Sequence, residues 1–354
     1  MKILLIRLRQ IGDVVFTTPA IRAVRRKFPE ARITYLVEPA AAAVVDGNSH
    51  LDHILIAPLP RRVSRIREDV TLIRELRARR FDVAIDFHGG PRSSLLSWLS
   101  GARRRIGYDI AGRGWMYTDR VARPRELRPR HSVQNQWDLL QPLGIGAPDP
   151  IHDPTEMPKL PAAAARVDAR LKAAGVQPSE PLVVIHVSAG NEFRRWPADS
   201  FEALIVSIAT TNPASRIIVT SGPSDRDAAA RIIERARIRL ASRADRILAS
   251  GDFDLAELRA LLDRSALFIG GDSGPLHIAG TTGVAIVGLF GPTLPMRSAP
   301  WRDPRLVAET VDVGELPCRP CDQRRCVPGD FRCLTRLSPE AVFAAAERAM
   351  AASL

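Results

Sequence analysis

The stretch Lys2-Ile3-Leu4-Leu5-Ile6-Arg7-Leu8-Arg9-Gln10-Ile11-Gly12-Asp13-Val14-Val15-Phe16 opens the chain and sets the fold class. Lys2 to Leu8 is a short, β-rich apolar run, and a helical pattern follows from about Val14 to Phe28. Further strand candidates are Arg32 to Val37, Ile54 to Ile56 and Asp82 to Phe87, with a helical pattern at Arg65 to Arg80 between the last two. Such alternation predicts a parallel sheet covered by helices. Pro148, Pro150, Pro154, Pro158, Pro161 and Pro178 then surround one Ala-rich helix near 162–174, the composition of a linker. Strand candidates resume at Leu182 to Val187, Arg216 to Thr220, Ala266 to Ile269 and Val284 to Phe290. Ser338-Pro339-Glu340 starts a final helix. The expected organisation is an α/β domain over 1–150, a linker over 151–180, a second α/β domain over 181–337 and a terminal helix over 338–354.

At 354 residues the chain is long enough for two cores. Its composition excludes collagen-like and wholly disordered chains. With 5% aromatic residues it does not read as a base-stacking surface, so no nucleic-acid partner is expected. Its apolar runs fall far short of the ~20 residues of a membrane span. The N-terminal run is broken at once by Arg7 and Arg9, unlike a signal peptide, and a cytoplasmic protein is expected. The net charge of +12 is uneven. Residues 1–150 hold 24 Arg and 2 Lys against 15 acids, whereas residues 151–354 are nearly neutral. Plain solubility is one reading of this excess. An anionic partner of the first half is the other, with Arg61-Arg62, Arg79-Arg80 and Arg103-Arg104-Arg105 as its densest clusters.

Chemistry concentrates where strands end. Gly12-Asp13 follows the first strand. Asp13 is either a helix cap or a general base at a sheet's carboxyl end. Gly270-Gly271-Asp272-Ser273-Gly274-Pro275-Leu276-His277 joins a strand to a helix, and its glycines and free amides suit a phosphate. His186-Val187-Ser188-Ala189-Gly190-Asn191-Glu192-Phe193-Arg194-Arg195-Trp196-Pro197 offers Ser188 to phosphate oxygens and Arg194 or Arg195 to a diphosphate. Ser221-Gly222-Pro223-Ser224-Asp225 ends another strand. His88, before Gly89-Gly90, reads equally as a lining residue of the first site or as a structural histidine. Cys318, Cys321, Cys326 and Cys333 form one cluster. Four thiolates could close a structural zinc site, although the spacing is not that of paired C-x2-C knuckles.

Taken together, Ile3-Leu4-Leu5-Ile6-Arg7 with Ile11-Gly12-Asp13-Val14 and Thr18-Pro19-Ala20, Arg194-Arg195-Trp196-Pro197, Asp272 to His277 and Leu289-Phe290-Gly291-Pro292-Thr293 resemble glycosyltransferase family 9, the ADP-heptose:lipopolysaccharide heptosyltransferases. The resemblance implies a GT-B fold, two Rossmann-like domains with parallel sheets facing a central cleft. It implies inverting transfer from ADP-heptose to the lipopolysaccharide inner core with no cofactor required for catalysis. Asp13 would be the general base. Ser188, Arg194, Arg195, Asp225, Asp272, Ser273, Gly274 and His277 would hold the nucleotide-sugar. Gly12, His88, Arg103 and Arg104 are candidates on the acceptor side, and peripheral contact with the inner membrane fits a lipid acceptor. Arg194 stands where the family often has Lys, which exchanges a point charge for a planar fork. The acidic residue expected near Gly222 falls on Asp225 or leaves its place to Ser224. The competing readings are transfer of another nucleotide-sugar to another glycan, a nucleotide-sugar 2-epimerase of the same architecture, and an Arg-rich binding protein without catalysis.

Overall fold

The computed structural model describes residues 1–58, 65–123, 130–248, 252–321 and 323–353. The Arg61-Arg62 pair lies outside them. Two compact units divide the chain, Met1–Pro158 and Lys159–Leu354.

The first unit is built around β1 (Lys2–Ile6), whose residues from Ile3 onward have no exposed surface. Strands apolar on both faces belong inside a parallel sheet. The others are β2 (Arg32–Val37), β3 (His53–Ile56), β4 (Val83–Asp86), β5 (Arg104–Asp109) and β6 (Asp119–Ala122). All six are parallel, in the order β3-β2-β1-β4-β5-β6. The order reverses between β1 and β4, the crevice where doubly wound sheets bind ligands beyond their strand ends. One face of the sheet packs Leu4, Ile6 and Leu36 against Leu72, Leu76 and Leu96 from the covering helices.

The helix expected over Val14 to Phe28 is two helices, Ile11–Val15 and Thr18–Lys27. Pro19 has no N–H to give the Val15 carbonyl, and the Thr18 hydroxyl bonds that carbonyl instead at 2.8 Å. The Thr17 hydroxyl does the same for Val14 at 2.7 Å.

The second unit has β7 (Leu182–His186), β8 (Arg216–Thr220), β9 (Leu267–Gly271), β10 (Ala285–Leu289) and β11 (Ala308–Val311). They form a parallel sheet in the order β11-β10-β9-β7-β8. Its reversal point lies between β7 and β9. The core gathers Val183, Ile185, Val219, Ile269 and Val287 with Phe201, Leu204 and Ile208. The terminal helix Pro339–Ala351 is part of this unit: Val342, Ala345, Ala346 and Ala349 are buried in the same core.

Residues expected as a linker are structured. Asp153 and Glu156 pair with Arg26 and Arg22 of the helix Thr18–Lys27. Pro161–Ala173 is a helix of the second unit, tied through Arg166 to Glu257 at 2.6 Å. Among the described residues, no helix is long and apolar enough to cross a membrane.

Candidate functional site

Each unit gathers polar side chains at its own reversal point. In the first, Ile6 of β1 lies beside Asp86 of β4. Chain leaving β1 carries Arg7 and then Asp13, the third residue of the helix Ile11–Val15. The Asp13 carboxylate is 38% exposed and lies 2.5 Å from Arg7 Nη2. Arg7 is held on its other side, where Nη1 donates to the Phe87 carbonyl at 2.6 Å. One guanidinium thus fastens Asp13 to the end of β4. The Gln136 amide donates to the Asp13 carbonyl at 3.4 Å.

Asp86 forms the floor of this site and is fully buried. It accepts from the amides of His88 at 2.9 Å and Gly89 at 3.0 Å and from the Tyr117 hydroxyl at 2.7 Å. The turn it fixes presents His88. Gly89 is in the left-handed region at φ +64°, and a Cβ at Gly90 would lie 2.8 Å from His88 Nε2. Burial first, then the charge of Arg7, holds His88 below the ordinary imidazole pKa, although Asp86 and Asp13 act the other way. Its Nδ1 is buried without a hydrogen-bond partner.

Gly12 is buried in the helix that carries Asp13. Arg103 and Arg104 stand elsewhere. Arg104 begins β5, so both lie at the amino end of the sheet, opposite Asp13 and His88. Arg104 is also engaged, with Asp119 at 2.8 Å and the Pro142 carbonyl at 2.6 Å. Arg7, Asp86 and Tyr117 join the site without having been singled out. Arg7 stands in the N-terminal motif Ile3-Leu4-Leu5-Ile6-Arg7 with no role of its own assigned there, and no sequence pattern reveals Tyr117.

The second site lies between the ends of β7 and β9. Asp272, 3% exposed, is its centre. Its carboxylate is 3.2 Å from Arg194 Nη1, 3.3 Å from His277 Nε2 and 2.6 Å from the Thr293 hydroxyl. Burial alone would raise its pKa. His277, Arg194 and Thr293 override that and hold it at about 2. Arg194 Nη1 also donates to the Asp272 carbonyl at 3.1 Å. Arg195 pairs with Asp225 at 3.2 Å, and the Ser224 hydroxyl donates to the same carboxylate at 3.1 Å. Of the two residues weighed near Gly222, Asp225 is therefore the one tied to the basic loop. Ser188 Oγ accepts the Gly222 amide at 2.9 Å, joining the loops after β7 and β8.

Trp196 explains how the arginines are held. Its indole donates to the Leu337 carbonyl at 2.9 Å, and its ring packs edge-on against Phe201 at 4.9 Å. The basic pair thus hangs from a residue sunk in the core. Ser273 precedes the helix Gly274–Ala279, and its hydroxyl donates to the Gly271 carbonyl at 3.1 Å. His186 is buried against Thr220, and burial pulls its pKa down to about 4, so it is a neutral structural residue.

The four cysteines are thiols that line a single cavity of about 580 Å³ with Phe193, Pro292 and Phe331. Among the described residues, no group of three or more His, Cys, Asp or Glu side chains is placed to hold a metal ion. The expected zinc site therefore does not fit this arrangement. Burial, opposed by Arg319 and reinforced by the neighbouring Cys318 and Cys326, pushes the Cys333 thiol pKa up.

The model of glycosyltransferase family 9 (heptosyltransferase) matches residues 70–330. A lipopolysaccharide heptosyltransferase 3 of Escherichia coli is 28% identical, the match covering 88% of this chain and 89% of that protein. The crystal structure of a family 9 glycosyl transferase from Veillonella parvula superposes with a TM-score of 0.83 at 23% identity, covering 99% of this chain and 97% of the other. An ADP-heptose lipopolysaccharide heptosyltransferase II of Escherichia coli gives 0.75 at 17% identity over 99% of both chains. At these identities the structural likeness shows the fold alone, and that fold is GT-B.

Proposed function

Because the chain belongs to glycosyltransferase family 9 and is a glycosyltransferase, we propose that it transfers a heptose from ADP-heptose to a hydroxyl of the lipopolysaccharide core, with inversion at the anomeric carbon. The donor assignment comes from the relatives named above. Its support in this chain is the basic loop Arg194-Arg195 beside Asp272 and Ser273. The acceptor assignment falls to the first unit.

The observation that carries the mechanism is the state of Asp13. It is a half-exposed carboxylate at a reversal point, fixed by Arg7 at 2.5 Å yet open to solvent. In the proposed step Asp13 takes the proton of the acceptor hydroxyl. That oxygen forms a bond to the anomeric carbon while the bond from carbon to the diphosphate oxygen breaks. The electron pair leaves with ADP. The charge that develops on the diphosphate meets Arg194 and Arg195, the Ser188 hydroxyl and the Ser273 and Gly274 amides. Fixed donors of this kind work best on charge that appears only in the transition state. Asp272 and Asp225 hold the arginines, and His277 buttresses Asp272 from the following helix. His88, its pKa held below the ordinary imidazole value, lines the acceptor side.

Family membership removes the epimerase reading and the reading as a binding protein without catalysis. Peripheral membrane contact remains part of the proposal, through a surface other than the Arg103-Arg104-Arg105 cluster. Arg104 and Arg105 are bonded internally, Arg105 to the Met116 and Ala102 carbonyls. Exposed Trp98 and Trp115, their rings 5.3 Å apart, offer an interfacial pair instead.

The test is to incubate the protein with ADP-heptose and a series of truncated lipopolysaccharide acceptors and weigh the lipid products. A gain of one heptose on one acceptor is expected. Mass gain with another nucleotide-sugar and none with ADP-heptose would sink the donor assignment.

A further inference from the structure

The segment 317–333, which carries the four cysteines, is fastened to both loops that flank Asp272. Arg319, with its side chain 2% exposed, lies 3.2 Å from Asp312 and donates to the Gly314 carbonyl at 2.6 Å and the Thr293 carbonyl at 2.8 Å. The Cys321 amide donates to the Pro292 carbonyl at 3.2 Å. These bonds grip the turn after β10. Phe331 packs on Phe193 with ring centroids 5.5 Å apart, which grips the loop after β7.

Between these anchors stands Gln323, at φ +58°, a left-handed conformation uncommon for a residue with a side chain. Its amide donates to Cys321 Sγ at 3.3 Å. Its Oε1 accepts from Arg194 Nε at 2.7 Å and from Asn191 Nδ2 at 3.1 Å. Arg194 Nη1 is committed to the carbonyl and carboxylate of Asp272. The guanidinium plane is thus fixed at two of its three nitrogens, and Nη2 is the one without a bond among the described residues.

We propose that Gln323 is a positioning residue for the donor diphosphate: by holding Arg194 Nε it aims Arg194 Nη2 at a phosphate oxygen. The role rests on the donor reading above. An arginine held in this way meets its ligand with little side-chain freedom left to lose. It also gives the cysteine segment a task that needs no metal, since the thiol-lined wall carries the loop that presents Gln323.

The test is calorimetric titration of ADP into the full-length protein and its variants, with melting temperatures checked in parallel. Gln323→Met keeps the shape and removes the accepting oxygen. It is expected to weaken ADP binding about tenfold, the scale of one charge-assisted hydrogen bond. On an Arg194→Met background it should cost nothing more, because Gln323 acts through Arg194. Gln323→Glu, which keeps an accepting oxygen, should retain affinity that Gln323→Met loses. Val327→Ser, at an 84% exposed position of the same segment, should bind as the wild type does. Equal affinity of wild type and Gln323→Met, or a second tenfold loss on the Arg194→Met background, overturns the positioning role and leaves the donor reading intact. No ADP binding by the wild type overturns both.

Discussion

Asp13 and Asp272 each stand just past the carboxyl end of a central parallel strand, and each faces an arginine. Asp272 is 3% exposed and has three partners in His277, Arg194 and Thr293. Asp13 is 38% exposed in its side chain, and its Oδ2 takes both partners it has among the described residues, Arg7 Nη2 and the Gln10 amide at 3.4 Å, the contact of a helix-capping residue. A carboxylate that is buried among three partners shapes its surroundings and is shielded from a substrate. A carboxylate fixed on one side and open on the other can accept a proton. The same topology therefore supplies a frame in one unit and a reactive group in the other. Burial and the number of partners decide which.

Substitution at each aspartate separates the two roles. Asp13→Asn should lower transfer by roughly 10²–10⁴-fold, the usual weight of a general base, with ADP affinity unchanged. Steady-state rates alongside an ADP titration check this, and a parallel loss of ADP affinity would erase the distinction. Asp272→Asn should act on stability. It leaves Arg194 without its buried counter-charge, at the low end of the roughly 3–5 kcal/mol seen when one partner of a buried pair is lost. Urea unfolding at neutral pH reads this effect, and an unchanged midpoint would contradict the frame role.

A smaller effect sharpens the same contrast through pH. His186 lies beneath the Asp272 site with its pKa lowered to about 4, against an ordinary value of 6.5. The unfolded chain therefore takes up a proton as the pH falls below about 6.5, while the folded chain stays neutral until about 4. Stability is full above that window and falls through it. His88, lowered in the same direction, adds to the slope. Urea midpoints at pH 7 and pH 5 should differ, and His186→Gln should shrink the difference. An undiminished difference would place the slope on other groups.

The strands that build both sites were legible because they are buried on both faces and read as unbroken apolar runs. Asp119–Ala122 and Ala308–Val311 were not, since each is a half-exposed edge strand with polar or charged residues in it. Asp13, Arg194, Asp272 and His277 stood out because strand-to-helix turns concentrate polar residues beside glycine. Arg103 and Arg104 drew attention as a charge cluster, but a cluster does not say which end of a strand it occupies. Gln323 reaches Arg194 across 129 positions of sequence, and no local pattern encodes that approach.

The arginine excess of the first unit has a consequence outside recognition. Arg7, Arg22, Arg25, Arg104 and Arg105 each donate to backbone carbonyls of other segments, so these guanidinium groups work as stitches between loops. These bonds leave the charge in place but occupy donors that a partner would otherwise take. Lysine is confined to Lys2, Lys27, Lys159 and Lys172. An amine-directed label or cross-linker would reach those four side chains and the α-amine of Met1, and neither site, whereas an arginine-directed dicarbonyl would unpick the loops themselves.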